Sequence, residues 1–136
     1  MKTFVLHLQS ATQYECIEHV MGFVGEDDSG SFGIMAGHAR MMTSLVFGLA
    51  RFRGADDGWE FLALPGALLY FIDNQLYVNT RRYLRDANYQ RISAQLQEQL
   101  LKEEEALHGI KESLHRLEEE MFKRLWKMQR GGETLL

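Results

Sequence analysis

Five histidines, one cysteine and a knot of arginines are the residues of this 136-residue chain whose types could do chemistry. Glu112 and His115 form a Glu-x-x-His step, and His108 lies one helical turn ahead of Glu112 on a neighbouring face. That is half the pattern of a carboxylate di-metal bundle, which needs two such steps and glutamates from further helices. With one copy present, the residues read as a solvated polar face, and no metal is expected. Cys16 and His19 lie three apart in a stretch that reads as strand, and that spacing gives no geometry for an activated thiolate. Cys16 is therefore expected to be a buried structural residue. Arg81, Arg82 and Arg85 could grip a phosphate or a carboxylate, although an interface or a solvated patch is the plainer reading. No catalytic residue is expected.

The stretch "GSFGIMAGHARMMTSL", residues 30–45, packs three glycines and a lone histidine ahead of an apolar run. It reads as a loop, but not as a nucleotide cradle. The Gly-Lys-Ser/Thr ending that supplies a phosphate-binding lysine and a magnesium-binding hydroxyl is missing. The glycine spacing also misses the dinucleotide fingerprint, and no βαβ unit surrounds it. What remains is a moulded contact surface, or a plain turn with His38 in it.

The bulk properties agree with a chain that works through its surfaces. The formal charge is −4 and the isoelectric point about 5.7, so no bulk attraction to nucleic acid is expected. A single cysteine cannot form an internal disulfide or a thiolate-rich zinc site. No apolar run has signal-peptide or membrane-spanning length. The chain is expected to be soluble by itself, with any link to a membrane coming through partners.

The elements that must position these residues change period near residue 86. Nine of the twelve glycines and the only proline, Pro65, lie before that point. "FVLHL" alternates, with Phe4, Leu6 and Leu8 on one side. "WEFLAL", "ALLYFI" and "QLYVNT" carry the aromatic and branched residues of half-buried strands. Asp73-Asn74 suits a tight hairpin turn between the last two. Short strands with regular turn signals predict an antiparallel β-sandwich or flattened barrel over residues 1–86. Beyond it, Leu96, Leu100, Leu107, Ile110, Leu114, Leu117, Met121, Leu125 and Met128 recur at three- and four-residue steps, an amphipathic helical stripe. Acid-before-base pairs such as Glu112 to Arg116 and Glu119 to Lys123 support it. Gly109 is the weak point, so residues 87–136 form either a two-helix hairpin bending at His108-Gly109 or one extended helical arm, ending in a short disordered tail.

The glycine-rich stretch resembles the signature of the epsilon subunit of F-type ATP synthases. Gly30, Phe32, Gly33, Ile34, Gly37, His38, Ala39, Thr43, Leu45, Gly48 and Arg51 fall in register with that pattern. "LPGALLYFIDNQLYV" is similar to the family's later strand pair, with Gly66 and Asn74 at matching places. The order of sandwich then helices matches as well, so the resemblance covers nearly the whole chain.

The resemblance implies a non-catalytic central-stalk subunit, without a cofactor, that couples ion flow to ATP synthesis or hydrolysis. Its partners would be the gamma subunit, the c-subunit ring and the alpha/beta catalytic head. It would sit peripherally at the cytoplasmic face of a bacterial inner membrane, touching the membrane only through the complex. Shaft and ring would meet the loops 30–34 and 37–40, namely Gly30, Ser31, Phe32, Gly33, Ile34, Gly37, His38, Ala39 and Arg40. The helical arm would restrain hydrolysis, with Gly109 as hinge and Lys111, Arg116, Lys123, Arg124, Lys127 and Arg130 meeting acidic surfaces of the head. Two family prolines beside the Gly-His pair are Ala36 and Arg40 here. Of the ATP-binding segment that some members carry, only Arg91 matches, with Asn88 in place of the acid and Ile92 in place of the alanine. ATP binding is therefore not expected, and the departures point to a divergent member such as one from an alternative bacterial F-type ATPase. The other reading of the helical stripe is a free-standing interaction module that homodimerises, although Glu103 and Glu104 interrupt the seam such a dimer needs.

Overall fold

The computed structural model describes residues 2–56 and 58–135, with side chains as far as Gln129. Alternation of apolar and polar residues produces ten described strands: β1 Phe4–Gln9, β2 Tyr14–Val20, β3 Gly22–Asp27, β4 Gly30–Ile34 and β5 Met41–Leu45, then β6 Gly48–Arg53, β7 Trp59–Leu64, β8 Ala67–Ile72, β9 Gln75–Thr80 and β10 Leu84–Asp86. They form two five-stranded sheets, ordered β2-β1-β9-β8-β5 and β10-β7-β6-β3-β4. The glycine-rich stretch is thus mostly strand. Residues 30–34, expected as a loop, are β4, because Phe32 and Ile34 turn inward against β3 while Ser31 and Gly33 stay exposed.

The tight turn at Asp73-Asn74 is present, with φ of 51° and 57° at the two residues, the left-handed pair that a two-residue hairpin requires. One strand pair departs from the expected antiparallel sandwich. β1 runs parallel to β9, from Val5 opposite Gln75 to Gln9 opposite Asn79. β1 lies between its hairpin mate β2 and β9, and a central strand satisfies both edges with either direction of neighbour.

Between the sheets, Phe4, Phe23, Phe52 and Phe71 pack with Leu6, Leu8, Leu62, Leu69, Leu76 and Ile34, all essentially inaccessible. Phe4 meets Phe71 edge to face at 5.7 Å, the arrangement aromatic quadrupoles favour. The β2/β10 side of the sandwich is closed by charge. Arg85 donates to both carboxylate oxygens of Glu60 (3.1 and 2.9 Å) and to Glu15 (2.6 Å), and the Tyr83 hydroxyl donates to the other Glu15 oxygen (2.7 Å).

Asn88 caps the first helix, α1 (Tyr89–Gln95), by accepting from the Arg91 N–H at 2.9 Å. A π-helical turn follows at Leu96–Leu100. Ile92, Leu96 and Leu100 are spaced by four, and an α-helix would rotate successive members by about 40°. The wider turn keeps all three toward Ala63, Phe47, Leu49 and Phe61 on the outer face of the second sheet.

The chain divides into two compact units, Met1–Leu101 and Lys102–Leu136. The second is helix α2, Leu101–Leu135. It continues as helix through His108 and Gly109, so the hairpin alternative gives way to one long helix. Gly109 costs about 1 kcal/mol there, and several acid–base and histidine–acid pairs of about 0.2–0.5 kcal/mol each offset it. The short tail expected at the C-terminus falls on residues 130–136, whose side chains lie outside the description.

Candidate functional site

No group of three or more His, Cys, Asp or Glu side chains among the described residues is placed to hold a metal. Cys16 is not buried, contrary to expectation. It points outward on β2, opposite His7 of β1. Two exposed features of the fold stand out instead, the β4–β5 loop and the outer face of the first sheet.

The loop occupies residues 35–40. The His38 N–H donates to the Met35 carbonyl (3.1 Å), closing the turn. Gly37 has φ of 83°, a conformation that residues with a Cβ rarely adopt. Its N–H donates to Asn74 Oδ1 at 2.7 Å, joining this loop to the β8–β9 turn. The His38 ring stands edge-on to Phe71 at 6.0 Å, with Nδ1–H donating to the Ala39 carbonyl at 2.7 Å. His38, Ala39 and Arg40 are exposed, and Met35 is 65% exposed.

On the other side of β4, the Asp27 carboxylate accepts from the Ser29 hydroxyl and N–H and from the Thr43 hydroxyl (2.5, 2.9 and 2.8 Å). Those donors hold it below the usual carboxylate range. Because Thr43 belongs to the first sheet and Asp27 to the second, this carboxylate links the layers just where the β3–β4 hairpin turns. Sequence spacing gave no sign of the pair.

The outer face of the first sheet carries one row in register across all five strands: Cys16, His7, Tyr77, Tyr70 and Met42. Its rings stack, His7 on Tyr77 at 4.6 Å and Tyr77 on Tyr70 at 4.5 Å, each within 15° of parallel. His7 is fixed at both nitrogens. Nε2–H donates to Gln75 Oε1 and, in the neutral ring, Nδ1 accepts from the Tyr14 hydroxyl, both at 2.6 Å. The next row is Gln9, Asn79, Leu68 and Ser44. Neither row contains Asp, Glu, Lys or Arg. Met42 and Leu68 are 68% and 44% exposed, and a groove of about 410 Å³ runs between Met42, Tyr70 and Ile72 beside Arg40. The alternation of "FVLHL", "ALLYFI" and "QLYVNT" showed which residues face inward. That the outward ones stack across strands depends on register, which alternation does not reveal.

The arginine knot separates. Arg85 is the rivet between Glu15 and Glu60, while the Arg82 Nη2 lies 3.5 Å from Gln99 Oε1. Arg91 is held by Asp86, its Nε and Nη2 donating at 2.5 and 2.7 Å. That pair draws the Asp86 carboxyl down to about 2. Asn88 serves as helix cap and Ile92 is buried, so all three residues aligned with an ATP-binding segment are engaged within the fold.

On α2, Lys111, Arg116, Lys123, Arg124 and Lys127 are exposed, and Arg130 lies outside the described side chains. His108 pairs with Glu112 at 3.0 Å and His115 with Glu119 at 3.1 Å, four-residue steps that sequence reading had given to neighbouring acid–base pairs. Ile110, Leu114, Leu117, Met121, Leu125 and Met128 are each more than half exposed.

Comparison with known proteins bears on this arrangement. The family described as "ATP synthase, Delta/Epsilon chain, beta-sandwich domain" matches residues 4–86. A curated relative, ATP synthase epsilon chain 2 of Cereibacter sphaeroides, is 41% identical over 44 residues, 32% of this chain and 30% of that one. Among solved structures, a chain of the Euglena gracilis mitochondrial ATP synthase (OSCP/F1/c-ring) superposes with a TM-score of 0.59 at 16% identity, covering 62% of this chain and 54% of that one. A chain of the Tetrahymena thermophila mitochondrial ATP synthase central stalk/c-ring gives 0.50 at 13% identity, covering 62% and 69%. At these identities the two structures share the fold, and the chain spans under two thirds of the Cereibacter and Euglena relatives it matches.

Proposed function

Since this chain belongs to the ATP synthase delta/epsilon family, as a non-catalytic epsilon-type subunit, we propose that it couples rotation in the central stalk by shape alone. The outer face of the first sheet would grip the gamma subunit, the loop 35–40 and β4 would meet the c-subunit ring, and helix α2 would be the regulatory arm. No described helix is long and apolar enough to cross a membrane. By likeness to the family, the subunit would be held peripherally, at the cytoplasmic face of a bacterial inner membrane, through its partners.

The observation that carries this reading is the stacked row His7–Tyr77–Tyr70–Met42. Charge depletion with enrichment in tyrosine and methionine distinguishes the centre of a protein interface from ordinary surface. Solvated sheet faces normally alternate to polar residues. Here the hydrogen bonds at His7 and the ring stacking hold the face in one conformation before binding, which lowers the ordering cost of association.

The arm reading rests on α2 having a basic end. From Met121 to Arg130 the sequence contains Lys123, Arg124, Lys127 and Arg130 and no acid. Such a segment complements acidic surfaces of a catalytic head. Gly109 remains the position where a bend would cost least.

Binding of the purified full chain to the gamma subunit of the same enzyme tests the first assignment. Tyr70→Lys places a charge in the centre of the row and should weaken binding by about tenfold or more. Unchanged affinity with a folded Tyr70→Lys chain would move the shaft contact elsewhere.

A further inference from the structure

Helix α2 changes character along its length. Residues 101–120 hold seven glutamates against Lys102, Lys111 and Arg116, and Glu118, Glu119 and Glu120 close that acidic stretch. Residues 121–129 contain three cations and no acid. At about 100° per residue, Met128, Met121, Leu125, Phe122 and Trp126 fall on one arc of about 160°, with Gln129 their one polar companion. Lys123, Lys127 and Arg124 fall on the opposite side of the helix.

The apolar arc is open. Met121, Leu125, Trp126 and Met128 are each more than half exposed, and Phe122, at 78%, is the most exposed large apolar side chain among the described residues. A protein groove takes a narrow line of anchors at three- and four-residue steps, and Met121, Leu125 and Met128 already supply one. Phe122 and Trp126 widen that line toward the lysines, at the border where aromatic rings suit the passage from hydrocarbon to water. These two rings line a groove of about 380 Å³ together with Lys123 and Lys127. Lysines so placed lay their stems along apolar surface and keep the ammonium group among water or phosphates. A broad apolar face, an aromatic border and a cationic back are what a helix presents to an anionic bilayer when it lies in the interface.

We propose that residues 121–129 form an interfacial helix for an anionic lipid bilayer. The apolar arc enters the boundary between headgroups and acyl chains, and Lys123, Arg124 and Lys127 meet the lipid phosphates. The glutamates of residues 101–120 are repelled from the same surface, so only this end docks. The apolar arc has no part in the contact between the arm and the catalytic head, and lipid binding needs no other subunit. Because both contacts use the same cations, a bound bilayer and a bound head exclude each other.

Flotation of the full chain with phosphatidylglycerol-rich vesicles, and separately with phosphatidylcholine vesicles, tests it. The anionic vesicles should bind about tenfold or more tightly than the zwitterionic ones, and should slow amide exchange over residues 121–129 while the strands exchange as before. Phe122→Ser/Trp126→Ser, which leaves the charge unchanged, should weaken binding by about tenfold or more, and so should Lys123→Gln/Lys127→Gln. No binding of the wild-type chain to anionic vesicles would overturn the proposal. So would binding undiminished by Phe122→Ser/Trp126→Ser, which would mark adhesion by charge alone. A chain that ignores vesicles but binds the isolated catalytic head through α2 would overturn the bilayer contact and keep the arm. Absence of the chain from the rotor would overturn the central-stalk reading and leave lipid binding standing.

Discussion

Arg85 shows how a residue's role depends on partners far away in sequence. Its guanidinium is raised further above its ordinary range chiefly by its hydrogen bonds to Glu60, while partial burial acts in the opposite sense. Glu15 lies 70 residues away, Glu60 25, so three arginines close together in sequence gave no sign that one would clamp two sheets. Arg85→Ala should destabilise the sandwich by roughly 1–2 kcal/mol, because the pairs are only about two-thirds shielded from water. Thermal unfolding of the full chain measures it, and the loss should include the Tyr83–Glu15 bond. Asp86 makes a pH prediction. Its folded pKa of about 2 lies below its unfolded value, so its contribution is present above about pH 4 and is lost as pH falls through 2. Acid titration of exchange at Asn88–Ile92 should show fraying of α1 in that window, and Asp86→Asn should remove the pH dependence. The outward residues of the first sheet were readable by type but not as a stack, since a one-residue slip in register would disperse them.

At the scale of elements, strong alternation made β1, β7, β8 and β9 legible, and the three-and-four step made the helical region legible. β4, β5 and β6 were not, because glycine and small polar residues mask the period of two, and the same residues read equally well as a loop. The π-helical turn was also hidden. Ile92, Leu96 and Leu100 fit an ordinary helix in sequence, and only the position of the second sheet shows why the turn widens. Leu100 is fully buried at the end of the first unit. Leu100→Ala should therefore cost about 2–4 kcal/mol in local stability. Exchange over residues 89–101 should rise while the strands stay protected, and equal loosening of the strands would mean that this small cluster is not a separate anchor. In α2, Gly109→Ala should stabilise the helix by about 1 kcal/mol, seen as slower exchange around His108–Glu112.

At the scale of the whole molecule, the proposed function assigns gripping to the sandwich unit and regulation to the helical unit. Deleting residues 88–136 should raise ATP hydrolysis by the assembled enzyme while leaving the sandwich in place, and unchanged hydrolysis would remove the regulatory role from the arm. The sandwich matters most here, because a subunit that acts by shape works only while it stays attached. Native mass spectrometry of the enzyme purified through its catalytic head tests this most directly. The rotor should contain the wild-type chain, and folded Tyr70→Lys should be lost from it. A rotor that lacks the wild-type chain, or one that keeps Tyr70→Lys undiminished, would contradict the proposed attachment.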